Sequence, residues 1–150
     1  MHLRILVTGG AGFIGSNFVK RTIETRNPAS ITVLDSLTYA GNLKNLREVE
    51  GEISFIQDDI RNEVLLRSLV KDVDLVVHFA AESHNDRGIQ SPGDFIETNV
   101  DGTFQILEAV RKFGKRLHHI STDEVYGDLP LDSKEKFTEG SIYKPSSPYS

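Results

Sequence analysis

Cysteine is absent from the 150 residues. No disulfide can staple this chain and no thiolate can ligate a metal in it. No apolar run comes near the roughly 20 residues that cross a bilayer as a helix. The apolar stretch Ile5-Leu6-Val7 is too short for a secretory leader and runs straight into glycines. There is no cationic excess: 17 Lys and Arg against 22 Asp and Glu give a formal charge of −5. Without a dense basic stripe, neither nucleic acid nor a membrane surface is expected as a partner. The five histidines show no His-Glu-x-x-His spacing, so no metal site is expected. No Gly-Lys-Ser/Thr follows the glycines, which excludes a Walker-type phosphate loop, and no nucleophile-elbow pattern surrounds Ser121. Internal repeats and low-complexity segments are also missing. What is present is ordinary for a soluble domain, with 38% hydrophobic and 26% charged residues. The length suits one domain with a real core, and a cytoplasmic location is the expectation.

Short apolar runs alternate with helical patterns. Strands are expected at Leu3–Thr8, Ile31–Leu34, Ile53–Gln57, Leu75–Phe79 and Leu117–Ser121. Helices are expected over Phe13–Thr25, Glu63–Lys71 and Asp94–Phe113, with a short one at Leu43–Val49. The Asp94–Phe113 segment follows a loop with Pro92 and sets Ile96, Val100, Thr103, Leu107 and Val110 at helical spacing, with Gly114 as its stop. This alternation indicates an α/β fold, a Rossmann-type doubly wound parallel sheet. From Gly127 to Ser147 the pattern breaks into a long loop rich in serine, charge and proline.

The first strand feeds Gly9-Gly10-Ala11-Gly12-Phe13-Ile14-Gly15, which contains Gly-x-Gly-x-x-Gly. Glycines there allow a tight turn, close approach of backbone to a pyrophosphate, and close packing of helix on strand. The helix N-terminus then offers unpaired N–H groups and a positive dipole end to the phosphates. Asp35 ends the second strand twenty residues after Gly15. It is placed to accept hydrogen bonds from adenosine ribose hydroxyls, and its charge would repel a 2′-phosphate. Ser36 supplies no cation, so NAD is favoured over NADP. The bland alternative is a glycine-rich turn with no ligand.

Asp123 and Glu124 sit side by side in Ser121-Thr122-Asp123-Glu124-Val125-Tyr126-Gly127, just past the fifth strand. Open α/β sheets place their ligands there. Alternation along an extended chain lets the two acids take different roles, and two carboxylates facing one cleft repel each other, which makes one the better acid. Taken alone, the pair reads as two surface acids on a solvated turn. His84-Asn85-Asp86-Arg87 reads as polar contacts near a substrate or as a plain loop network.

Together these stretches resemble the extended short-chain dehydrogenase/reductases acting on nucleotide sugars, and more narrowly the dTDP-glucose 4,6-dehydratase family. The resemblance runs through Thr8–Gly15, Asp35–Leu43, His78–His84, Glu97–Thr103, Thr122–Asp128 and Ser146–Ser150. It implies NAD as cofactor, bound by Gly9, Gly12, Phe13, Ile14 and Gly15 at the pyrophosphate and by Asp35, Ser36, Leu37 and Thr38 at the adenosine ribose. Asp59 and Ile60 would hold the adenine. Phe79, Ala80, Ala81, Glu82, Ser83 and Thr98 would line the nicotinamide end. Ser83 and Thr122 would also touch the sugar of a nucleotide-sugar substrate, dTDP-glucose by this resemblance.

The resemblance further implies that Tyr149 takes the carbon-4 hydroxyl proton while that carbon is oxidised, which makes the carbon-5 hydrogen acidic. Glu124 would remove that hydrogen, Asp123 would protonate the departing carbon-6 hydroxyl, and Thr122 would hydrogen-bond the carbon-4 oxygen. A UDP-sugar 4-epimerase would share the cofactor residues without needing the paired acids. A non-catalytic NAD-binding module is the remaining alternative. The family often carries Lys, Val and Ser where this chain has Ser36, Asn85 and Gly88. Its lysine four residues after the tyrosine would fall beyond Ser150, as would the substrate domain. The chain therefore reads as the N-terminal, cofactor-binding half of such an enzyme, inactive alone, with an unpaired sheet edge and a tyrosine near a terminus that commonly frays unless tied down. The family's homodimer interface would use the Asp94–Phe113 helix.

Overall fold

The computed structural model describes residues 2–150. Five parallel strands, β1 (Arg4–Thr8), β2 (Ser30–Asp35), β3 (Ile53–Gln57), β4 (Leu75–His78) and β5 (Arg116–His119), form one sheet in the order β3-β2-β1-β4-β5. The order reverses direction beside β1, so the carboxyl ends of β1 and β4 open a crevice.

The three central strands are apolar on both faces because both faces are covered. Leu6, Val7, Val33, Leu34, Val76 and Val77 are all fully buried. On one face Ile5, Val7, Ile31 and Val33 pack with Val19 of helix α1 (Phe13–Arg26) and with Leu46 and Val49. The last two lie on a 3₁₀ stretch, Leu43–Glu52, whose three-residue repeat puts both on the buried side. On the other face Leu6, Leu34 and Val76 pack with Leu66 and Val70 of α2 (Glu63–Lys71) and with Ile106 and Ala109. Asn62 caps α2 by accepting from the Leu65 amide, and Gly114, left-handed at φ 61°, ends the last helix as expected.

The connection from β4 to β5 departs from expectation. The region read as a loop contains helix α3 (Asn85–Gln90), and the long helix starts at Pro92 rather than Asp94. It runs as α4 (Pro92–Phe95), a π segment Ile96–Gly102, and α5 (Thr103–Phe113). Proline suits a first helical turn, where its missing N–H is not needed. Gly102 sits against Ile60, where a Cβ would come within 2.5 Å of the Ile60 side chain. As a result Phe95, Ile106 and Ala109 are buried, while Ile96, Val100, Phe104 and Leu107 are exposed. Gly127–Ser147 holds no regular element but is not loose: Tyr126 stacks with Phe137 and Tyr143, and the Lys144 amide donates to the Val125 carbonyl at 2.9 Å. Among the described residues no helix is long and apolar enough to cross a membrane.

Candidate functional site

A cavity of about 610 Å³ opens past the carboxyl ends of the central strands. Its floor is the turn between β1 and α1. Gly9 adopts φ +70°, and a Cβ there would lie 2.5 Å from the Ala80 amide nitrogen. A Cβ on Gly15 would fall 2.3 Å from the Gly9 carbonyl oxygen. Only hydrogen fits at either place. Gly12 caps α1 without any side-chain bond, and the first turn holds no acidic residue. The opening amides of α1 therefore lack partners and face a region suited to an anion. Phe13 and Ile14 line the cavity with relative exposures of 82% and 63%, apolar surface that a ligand would cover.

Asp35 ends β2 at the cavity wall and is buried. Its Oδ2 accepts the Ala11 amide and its Oδ1 the Leu37 amide, each at 2.9 Å. A carboxylate has about four acceptor sites, so two remain for ribose hydroxyls. The same side chain thus holds both the glycine turn and the following loop. Leu37 is left-handed at φ 54° and packs against the core instead of lining the cavity. Its amide closes the Asp35 turn and its side chain anchors the loop, while Ser36 and Thr38 line the cavity.

Past β3, Asp59 and Ile60 line the wall with Arg61. Arg61 donates Nε and Nη2 to Asp59 at 3.0 and 2.9 Å, and Nη1 to Glu97 of the π segment. These bonds hold the Asp59 carboxyl below its usual range and raise the Arg61 guanidinium above its own. Past β4, Phe79, Ala80, Ala81, Glu82 and Ser83 form the opposite wall, joined by Thr98. Asn99 clamps this wall, accepting the Glu82 amide and donating to the Glu82 carbonyl, both at 2.8 Å. Arg87 places its guanidinium 4.3 Å from the Tyr39 ring centroid, linking the two sides of the crevice. Behind the wall His78 is fully buried between the Thr8 and Thr103 hydroxyls, at 2.7 and 3.1 Å. Burial pushes its pKa down to about 4, with His119 adding a smaller repulsion.

Tyr149 reaches the same cavity and sets its ring edge-on to buried Phe95, centroids 6.4 Å apart. The Ser150 hydroxyl accepts the Ser146 and Ser147 amides at 2.9 and 2.7 Å, which closes the stretch into a local turn. Asp123 and Glu124 open a 3₁₀ turn, Asp123–Tyr126, capped by Thr122. The Thr122 Oγ accepts the Glu124 amide at 3.2 Å, which leaves its own proton free to donate. Asp123 is exposed; Glu124 is half-buried, and Asn85 donates to both its oxygens at 3.1 and 3.2 Å. Thr122 lines a neighbouring hollow that shares Ser121 with the main cavity, and the two acids lie outside both linings. Sequence reasoning gave no role to Arg61, Glu97 or Asn99, although the last two lie in the Glu97–Thr103 stretch that carries the resemblance.

A glycine turn at the switch point of a 3-2-1-4-5 parallel sheet, with an acid ending the second strand, defines a Rossmann-type domain of the short-chain dehydrogenase/reductase kind. The family model for GDP-mannose 4,6 dehydratase matches residues 6–150, and the chain belongs to that family. It is 57% identical over 148 residues to a dTDP-glucose 4,6-dehydratase of Mycobacterium tuberculosis, covering 99% of this chain and 45% of the relative. The structure superposes on a dTDP-glucose 4,6-dehydratase from Streptomyces venezuelae, solved with NAD bound, with a TM-score of 0.91 and 48% identity over 97% of this chain and 47% of the other. A UDP-glucose 4-epimerase from Thermus thermophilus, also solved with NAD, gives 0.85 and 32% over 97% and 46%. The chain thus spans about half the length of the proteins it matches.

Proposed function

We propose that this chain is the cofactor-binding half of an NAD-dependent nucleotide-sugar 4,6-dehydratase, acting on dTDP-glucose. The observation that carries the reading is the Thr122-Asp123-Glu124 turn standing beside a dinucleotide-shaped crevice that Tyr149 also lines. The crevice fits NAD on its own chemistry: unpartnered amides for the pyrophosphate, two spare acceptor sites on Asp35 for the ribose, and exposed Phe13 and Ile14 to be covered. When bound, NAD supplies a hydride acceptor for carbon 4 and a hydride donor for carbon 6.

The chain's own groups divide the proton work. Tyr149 takes the carbon-4 hydroxyl proton, and the Thr122 hydroxyl donates to the same oxygen. Glu124 removes the carbon-5 proton, its carboxylate held by Asn85. Asp123, free of side-chain partners in the described structure, protonates the departing carbon-6 hydroxyl. One acid with a fixed orientation and one exposed to exchange with water suit base and acid respectively. We also infer that the complete protein pairs as a homodimer through the exposed apolar side of the Pro92–Phe113 helix.

The test is incubation of the complete polypeptide with dTDP-glucose and analysis of the product. A 4-keto-6-deoxy sugar is expected; an epimerised 4-hydroxy sugar would move the protein to the epimerases. Glu124→Gln and Asp123→Asn should still reduce NAD with substrate while water loss stops. If the NADH absorbance vanishes with the product, the acids act before oxidation and their roles are misassigned.

A further inference from the structure

We propose that Asn85 is a positioning residue for proton removal, the group that aims the Glu124 carboxylate. The inference rests on the dehydratase reading, in which Glu124 takes the carbon-5 proton. The backbone of Glu124 is fixed at both ends: its amide donates to the Thr122 hydroxyl at 3.2 Å and its carbonyl accepts the Gly127 amide at 3.1 Å. Its side chain has no such restraint of its own. A glutamate turns about several bonds, and ordering it costs conformational entropy that a partner must offset. Asn85 is that partner. Its Nδ2 donates to both carboxylate oxygens, at 3.2 and 3.1 Å, so the group cannot turn about its last bond without losing one of the two. Among the described residues no other hydrogen bond and no ion pair reaches that carboxylate.

The anchor is itself anchored. Asn85 opens α3, whose first turn is closed by the Arg87 and Gly88 amides donating to the His84 carbonyl at 2.9 and 3.2 Å. Gly88, the buried residue of that helix, lets it settle on the Phe95 ring, which is almost fully buried. The amide is thus carried by a segment tied to the core, while the base it holds lies on a turn 39 positions further along the chain. The chemistry suits a base. A neutral amide fixes a carboxylate without the charge pairing by which a lysine or arginine would resist its protonation. Asn85 lies outside the cavity lining, so its effect on the reaction passes through Glu124. A base displaced by an ångström, or left to wander among rotamers, loses much of the rate that fixed geometry supplies.

The experiment reads the step as well as the rate. The complete protein and its Asn85→Leu and Asn85→Gln variants are assayed with dTDP-glucose, with hydrogen or deuterium at carbon 5. Product formation and the enzyme-bound NADH present during turnover are both followed, and NAD affinity is measured by calorimetry. Leucine has nearly the shape of asparagine without the donor, and the position is exposed. Asn85→Leu should form product about 10- to 100-fold more slowly while keeping its NAD affinity. Bound NADH should build up beyond the wild-type level, and deuterium at carbon 5 should raise it further, because oxidation proceeds and proton removal lags. Asn85→Gln keeps the amide on a longer arm and should fall between the two; the same NADH comparison on it carries the test if Asn85→Leu does not fold. Product formation at the wild-type rate in a folded Asn85→Leu protein overturns the proposal. So does a slower variant with no greater build-up of NADH, since a purely structural loss slows every step alike. If wild-type protein makes no 4-keto-6-deoxy sugar, the dehydratase reading itself fails, a result distinct from the other two.

Discussion

At the scale of single residues, the site is built from groups with two duties. Asp35 faces the proposed ribose position while holding the Ala11 and Leu37 amides. Asp35→Ala should therefore weaken NAD binding by roughly 10- to 100-fold, the worth of one or two bonds to a charged group. It should also cost about 1–3 kcal/mol of stability, because the buried Ala11 amide loses its acceptor. Calorimetry with NAD and urea unfolding check the two effects; an unchanged midpoint would show that the turn holds itself. His78 carries a second prediction. Its folded pKa of about 4 lies below the usual 6.5 of a histidine, so between those values the unfolded chain binds more protons. The stability from burying the neutral ring is fully present above pH 6.5 and lost as pH falls toward 4. The difference is at most about 3 kcal/mol. His119, lowered by burial as well, titrates in the same direction. Urea midpoints from pH 7 to pH 4 should fall more steeply in wild type than in His78→Gln, and parallel curves would refute the assignment.

At the scale of elements, α3 and α4 act as a support for the proposed chemistry. Asn85 opens α3 and bonds Glu124, while Phe95 ends α4 and meets the Tyr149 ring. Gly88 makes the arm compact: a Cβ there would lie 3.2 Å from Phe95 Cζ. Gly88→Val puts a branched side chain into that contact and should cost about 1–3 kcal/mol by overpacking. Because Phe95 must shift, the proposed product formation by the complete protein should fall more than NAD affinity does. Equal losses in both would mean that the arm supports the cofactor instead. This arm also marks the limit of what the sequence revealed. The central strands were legible because double-sided burial writes continuous apolar runs such as Ile5-Leu6-Val7, and Gly9 to Gly15 announced its turn through residues that only a close approach requires. The Arg61–Glu97 and Asn99–Glu82 contacts join residues 36 and 17 positions apart, and nothing local records which polar side chains meet across a crevice. Helix α3 escaped because six residues interrupted by Gly88 give too few turns for a periodic signal.

At the scale of the whole molecule, one surface stands out. Ile96, Val100 and Phe104 recur every four residues and Leu107 follows three later, each about half exposed on a helix whose other side is buried. The π segment helps to set this division: Glu97, Thr98 and Asn99 serve the crevice, and Gly102 meets Ile60. The helix is thus committed on its inner side, and its outer apolar stripe has no partner among the described residues. A stripe spaced at four, four and three is what one helix presents to another when ridges pack into grooves, and a second copy supplies the same stripe by two-fold symmetry. Phe104 sits in the middle of it. Phe104→Glu would bring two like charges together across a two-fold contact and remove the largest ring from it. We expect the complete protein to sediment as a dimer at micromolar concentration and Phe104→Glu as a monomer, with NAD affinity preserved because the crevice lies on the opposite side of the helix. Phe104→Leu, smaller but apolar, should remain dimeric and so separate charge from size. A Phe104→Glu protein that still sediments as a dimer would place the interface elsewhere and leave this stripe without a partner of its own kind.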